Sequence, residues 1–122
     1  MAELKHLDTF SNQRGSLTVI QKPYIPFDIK RIYYIYGVDD SDRGGHRHKI
    51  TRQVLICLSG SCEIVNNNGK KKETFLLDNP RLALIVEPED WHVLTKFSPN
   101  AMLLVLASEL YDEQDYIYED YK

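Results

Sequence analysis

The chain has 122 residues, 43% of them hydrophobic, which suffices for one domain around one core and is too little for two, so residues 1–122 read as a single domain. The formal net charge is −3 with acidic and basic residues interspersed, and the missing basic stripe excludes a nucleic-acid partner. No apolar run reaches bilayer length and Met1-Ala2-Glu3-Leu4-Lys5-His6 has no apolar signal core, so the reading is a cytoplasmic protein with no membrane contact.

In chain order, Ser11-Asn12-Gln13-Arg14-Gly15 has turn chemistry, and the stretch from Ser16 to Gln21 alternates around Leu17 and Val19 as a strand does. Lys22 to Phe27 carries two prolines, which suit an edge or connecting segment. The aromatic and β-branched run from Ile29 to Val38 predicts a strand with Ile32, Tyr34 and Tyr36 on one face and Arg31, Tyr33 and Ile35 on the other. Asp39-Asp40-Ser41-Asp42 is a turn. The apolar run from Val54 to Leu58 is a strand, and Asn66-Asn67-Asn68-Gly69 is a hairpin signal joining the strand Cys62–Val65 to Glu73–Leu77, because Asn-Gly supplies positive φ angles. Leu82 to Val86, Trp91-His92 and Ala101 to Ala107 predict further strands. Only Asp112 to Tyr121 has a helical signal, an acidic first turn suited to the helix dipole, and this acidic tail reads as a solvated cap. Cys57 and Cys62 fit no CxxC or zinc spacing and read as packed, reduced thiols.

Chemistry concentrates in Arg43-Gly44-Gly45-His46-Arg47-His48-Lys49. Imidazoles at i and i+2 share one face of a strand, so His46 and His48 enter one pocket while Arg47 points away. A second turn, Pro88-Glu89-Asp90-Trp91-His92, delivers another histidine to a strand. A paired His early and a lone His late is the interior-site pattern of the cupin barrel, so the expected fold is all-β, a double-stranded β-helix or jelly-roll barrel with a short C-terminal helix. In metal-binding cupins the first motif also supplies a Glu seven residues before a Gly; here that place holds Gln53 before Gly60. An amide lacks the anionic oxygen that borderline and hard divalent ions want, so no metal and no other cofactor is expected.

Across nearly its whole length the sequence resembles the nucleotide-linked 4-keto-6-deoxyhexose 3,4-ketoisomerases, small cupin enzymes of bacterial deoxyaminosugar biosynthesis. The residues that carry the likeness are Arg14-Gly15-Ser16-Leu17, Ile25 through Tyr36, Arg43-Gly44-x-His46-x-His48-Lys49, Gln53 through Ser61, Trp91-His92, Phe97-Ser98-Pro99, Val105 through Ser108, and Tyr111-Asp112-Glu113-x-Asp115-Tyr116-Ile117. The chain departs from the pattern at Arg47, where a small residue is frequent, and at Tyr118, where an Arg is common.

The resemblance implies a metal-independent isomerase acting on a dTDP-linked 4-keto-6-deoxy sugar and giving the 3-keto isomer through an enediol. It further implies a homodimer, in a pathway toward lipopolysaccharide or S-layer glycans. Each step is a proton transfer near neutrality, which suits histidine. His48 is read as the base, His46 as its partner, and Tyr34 as the hydrogen-bond donor to the enediolate. Arg14, Arg43 and Lys49 are candidates for the diphosphate, while Gln53, His92 and Trp91 complete the substrate wall. Two other functions fit the same sequence: a deoxysugar epimerase of the same fold, differing in which carbon is reprotonated, and a non-catalytic sugar-nucleotide-binding cupin.

Overall fold

A computed structural model describes residues 1–122. Twelve strands form in the order β1 (Glu3–His6), β2 (Thr9–Asn12), β3 (Gly15–Thr18), β4 (Arg31–Ile35), β5 (Arg43–His48), β6 (Gln53–Ser59), β7 (Cys62–Asn67), β8 (Lys72–Leu77), β9 (Leu82–Val86), β10 (Trp91–Thr95), β11 (Met102–Ala107) and β12 (Tyr116–Ile117). They build two facing five-stranded sheets, ordered β1-β9-β6-β11-β4 and β12-β5-β10-β7-β8, with all pairings antiparallel. The hairpin β2-β3 forms a separate two-stranded sheet. The all-β barrel is as the sequence leads one to expect.

The hydrophobic pattern explains which strands lie where. β6, β9 and β11 read as unbroken apolar runs because both of their faces are covered. Leu55, Cys57, Leu84, Val86, Leu103 and Val105 point between the sheets into the barrel core, with Cys62 and Ile64 from the other side. Val54, Ile56, Ala83, Ile85 and Leu106 point outward, under Leu7 and Ile25 of the N-terminal region. β7 and β10 alternate instead, since only one of their faces is covered. Both cysteines are free thiols buried in this core.

Two local expectations change. The hairpin after β7 is longer than a two-residue turn: Asn68 Oδ1 accepts the backbone N–H groups of Lys70 and Lys71, and Gly69 takes φ +90°. The C-terminal helix is reduced to one 3₁₀ turn, Glu113–Asp115, capped by Asp112 accepting from the Gln114 amide at 3.0 Å. Tyr116 and Ile117 then pair with His48 and Arg47, because a β-forming Tyr-Ile pair completes the open edge of β5.

Candidate active site

The strand register brings the site together. Across the first sheet, Tyr33 on β4 lies opposite Val105 on β11, which lies opposite Leu55 on β6, all facing inward. One rung toward the barrel mouth, Arg31, Ala107 and Gln53 form the next row. Across the second sheet, His46 on β5 faces His92 on β10. Between the sheets is a cavity of about 110 Å³ lined by Tyr33, Arg43, His46, Gln53 and His92, over an apolar floor that includes Leu55 and Val105.

Gly44 makes the close approach of β5 and β10 feasible. It has φ +82°, and a Cβ there would sit 3.1 Å from the His92 carbonyl oxygen, beside the bulge between His92 and Val93. The three imidazoles consequently crowd together. The His46 ring centroid lies 5.0 Å from those of both His48 and His92.

Each histidine has its own environment. Burial, then the neighbouring His92 and His48, pushes the pKa of His46 down to about 3. Burial does the same for His92, to about 4, although its Nδ1 is 3.0 Å from the Asp90 carbonyl oxygen. That oxygen only accepts, so the His92 ring proton sits on Nδ1 and Nε2 faces away from it. His48 is 2% exposed and lies behind His46 rather than in the cavity wall. Burial lowers its pKa against the opposing pull of Asp115, whose Oδ2 is 2.8 Å from His48 Nδ1.

Tyr33 is the inward hydroxyl. Burial raises its pKa, and its oxygen accepts from Gln53 Nε2 at 3.2 Å, leaving its own proton free for the cavity. Arg31, on the same strand face as Tyr33, stands over the rings of Tyr33 and Tyr111 at 5.3 and 5.7 Å. Its Nε is buried without a hydrogen-bond partner.

Of the residues singled out in the sequence, His46, His92, Gln53 and Arg43 line the cavity, with His48 in contact behind them. The others do not. Tyr34 is 60% exposed on the outer face of β4, because the alternation that points Tyr33 inward turns Tyr34 out. Arg14 lies at the tip of the β2-β3 hairpin, which shares no ladder with the barrel. Trp91 precedes the inward His92 and so faces out, where its indole N–H donates to the Tyr118 carbonyl oxygen. The Lys49 side chain is exposed just past the end of β5.

The acidic tail is no solvated cap. Asp115 is 6% exposed, and the Tyr116 ring centroid lies 4.7 Å from that of His46 and 4.6 Å from that of His48, in tilted and edge-on contact with the histidine cluster. The alternation within the Ile29–Val38 run already separated Tyr33 from Tyr34 but not which face was inner; Asp115 carried no signal beyond its place in the family motif.

The whole chain, residues 1–122, matches the family model described as FdtA, WxcM-like, C-terminal. The chain belongs to this family. It is 44% identical over 115 residues to the TDP-4-oxo-6-deoxy-alpha-D-glucose-3,4-oxoisomerase of Aneurinibacillus thermoaerophilus, spanning 91% of this chain and 83% of that one. Among solved structures it is similar to a 3,4-ketoisomerase from Helicobacter canadensis, with 42% identity, a TM-score of 0.92, and coverage of 97% of this chain and 90% of that one. It is equally similar to a histidine mutant of the 3,4-ketoisomerase QdtA from Thermoanaerobacterium thermosaccharolyticum in complex with TDP-4-keto-6-deoxyglucose. There the identity is 42% and the TM-score 0.93, over 97% of this chain and 87% of that one.

Proposed function

We propose that this FdtA-like protein is a sugar 3,4-ketoisomerase that converts TDP-4-keto-6-deoxyglucose to the 3-keto isomer. The observation that carries the reading is one cavity with the His46 and His92 imidazoles on one wall and the Tyr33 hydroxyl on the other, burial favouring the neutral form of each. Its support from outside is full-length similarity to enzymes named for that reaction. Isomerisation moves protons only, so it needs a base and an acid rather than a nucleophile.

His46, in the cavity wall, removes the proton on C3, while the Tyr33 hydroxyl donates to the C4 oxygen as negative charge develops there. A donor so placed is worth about 10²–10³ in rate. The Tyr33 oxygen then takes the O3 proton of the enediol, and C4 takes from His46 the proton that left C3. This assignment exchanges the roles read from sequence for His46 and His48, and replaces Tyr34 by Tyr33. Gln53 holds Tyr33 rather than the sugar. Arg43 and Arg31, neither with a carboxylate partner, supply the cations for the diphosphate.

The functional unit is a homodimer. β4 is an edge strand whose outer face exposes Ile32 and Tyr34, with Tyr36 just beyond it, and the β2-β3 hairpin exposes Phe10 and Leu17. Free Cys57 and Cys62 suit a reducing cytoplasm.

Incubation with TDP-4-keto-6-deoxyglucose in D₂O, followed by proton NMR, tests the reading. A 3-keto product is expected, and a 3-aminotransferase should consume it. An inverted 4-keto sugar, or binding without turnover, overturns the proposal.

A further inference from the structure

The Asp115 carboxylate has no part in the proton transfers above, yet it is among the most heavily hydrogen-bonded groups in the molecule. Oδ1 takes the backbone N–H of Lys49 at 3.0 Å and of Ile50 at 2.8 Å. Oδ2 takes the Thr51 hydroxyl and stands 2.8 Å from His48 Nδ1. Burial pushes the Asp115 carboxyl up, but donation from Thr51, Ile50 and His48 outweighs it and holds the group ionised. An ionised carboxylate only accepts, so the proton of neutral His48 sits on Nδ1 and Nε2 carries a bare lone pair. That nitrogen is buried without any partner in the protein, and the His46 ring centroid lies 5.0 Å from that of His48 with the two rings nearly perpendicular.

Resting on the ketoisomerase reading, we infer that Asp115 is a positioning residue: it fixes the His48 tautomer so that Nε2 shares the proton His46 takes from the sugar. His46 alone is a poor base, because burial disfavours its charged form. Once protonated, it gains an acceptor in His48 Nε2 and, behind that, the negative charge of Asp115. The other groups around His48 do not help. Arg31 opposes positive charge on it, and His92 and His48 each oppose charge on His46, which leaves Asp115 as the counter-charge. The balance closes: the C3 proton passes to His46, is held against His48 Nε2, and returns to C4, while the Nδ1 proton never leaves.

Asp115→Asn tests this, because its carbonyl can keep the two backbone N–H groups while its NH₂ faces His48 and makes Nδ1 the acceptor. Nitrogen-15 correlation spectra of the histidine rings read the tautomer in the folded protein without any substrate. The expected spectra show His48 protonated at Nδ1 in the wild type and at Nε2 in Asp115→Asn. With that flip, kcat should fall about 10³-fold, by analogy with the Asp of a catalytic triad, and KM should stay within about threefold. Thr51→Val removes one donor to Oδ2 but keeps the carboxylate, so it should keep the wild-type tautomer and lose less than about tenfold in kcat.

Wild-type His48 protonated at Nε2 overturns the inference, as does an unchanged kcat in Asp115→Asn with a flipped tautomer. Should Asp115→Asn fail to fold, the wild-type spectrum and Thr51→Val decide the matter in its place. A wild-type protein with Nδ1 protonated but no turnover of TDP-4-keto-6-deoxyglucose overturns the functional reading and leaves the tautomer standing.

Discussion

Tyr33 and Tyr34 are chemically identical neighbours with opposite fates, because a strand sends successive side chains to opposite faces. Tyr33→Phe removes the proposed acid and leaves Gln53 Nε2 without its acceptor, so kcat should fall about 10²–10³-fold. Tyr34→Phe touches no cavity atom and should stay within about twofold of wild type in the same coupled assay. The histidines also set the acid sensitivity of the fold. His46 and His92 have folded-state pKa values near 3 and 4, below the ordinary histidine value. Between about pH 6.5 and 4 the unfolded chain therefore binds protons that the folded chain does not, so stability falls as pH falls, by at most about 1.4 kcal/mol per pH unit for each ring. Urea unfolding at pH 7.0, 6.0, 5.0 and 4.5 should show the midpoint moving steadily to lower denaturant; a flat profile contradicts neutral burial of these rings.

At the scale of elements, the C-terminal segment and the β5-β10 contact decide whether the histidines form a site. The segment is tied down by the β12-β5 ladder, by Trp91 donating to the Tyr118 carbonyl oxygen, and by Arg47 over the Tyr121 ring at 4.8 Å. Arg47, turned out of the barrel by alternation, thus helps hold the strap that covers His46 and His48. Ending the chain after Leu110 removes Asp115 and Tyr116 while leaving both apolar cores intact. Far-ultraviolet circular dichroism should still report a β fold, with a lower melting temperature, while turnover drops by at least about 10³. Gly44→Ala probes the other contact. It places a Cβ against the His92 carbonyl oxygen at a positive φ, and should cost about 1–3 kcal/mol in urea unfolding. The same substitution should lower kcat, since β5 and β10 can no longer approach as closely.

The whole molecule presents an unbalanced surface. The first sheet is covered on its outer face by the N-terminal region over only part of its width, and the edge strand β4 leaves Ile32, Tyr34 and Tyr36 open. Sedimentation should report twice the 14.2 kDa chain mass. The double variant Ile32→Asp and Tyr36→Asp should shift it toward the single chain, since paired buried carboxylates are costly in an apolar interface. An unchanged dimer would move the interface elsewhere.

Much of this protein was legible from residue order. Unbroken apolar runs in β6, β9 and β11, the aromatic and β-branched run that holds β4, and the His-x-His spacing with a later lone His pointed to the barrel and to a shared inward face, because those features depend on neighbours within one strand. Which tyrosine faced the cavity, which histidine lined it and what held the other were decided only by tertiary structure. Tyr33 meets Gln53 across two strand pairings, and His48 meets Asp115 across 67 positions of sequence. Local periodicity defines the two faces of a strand, but only the packing of one sheet against the other decides which of them becomes the inside.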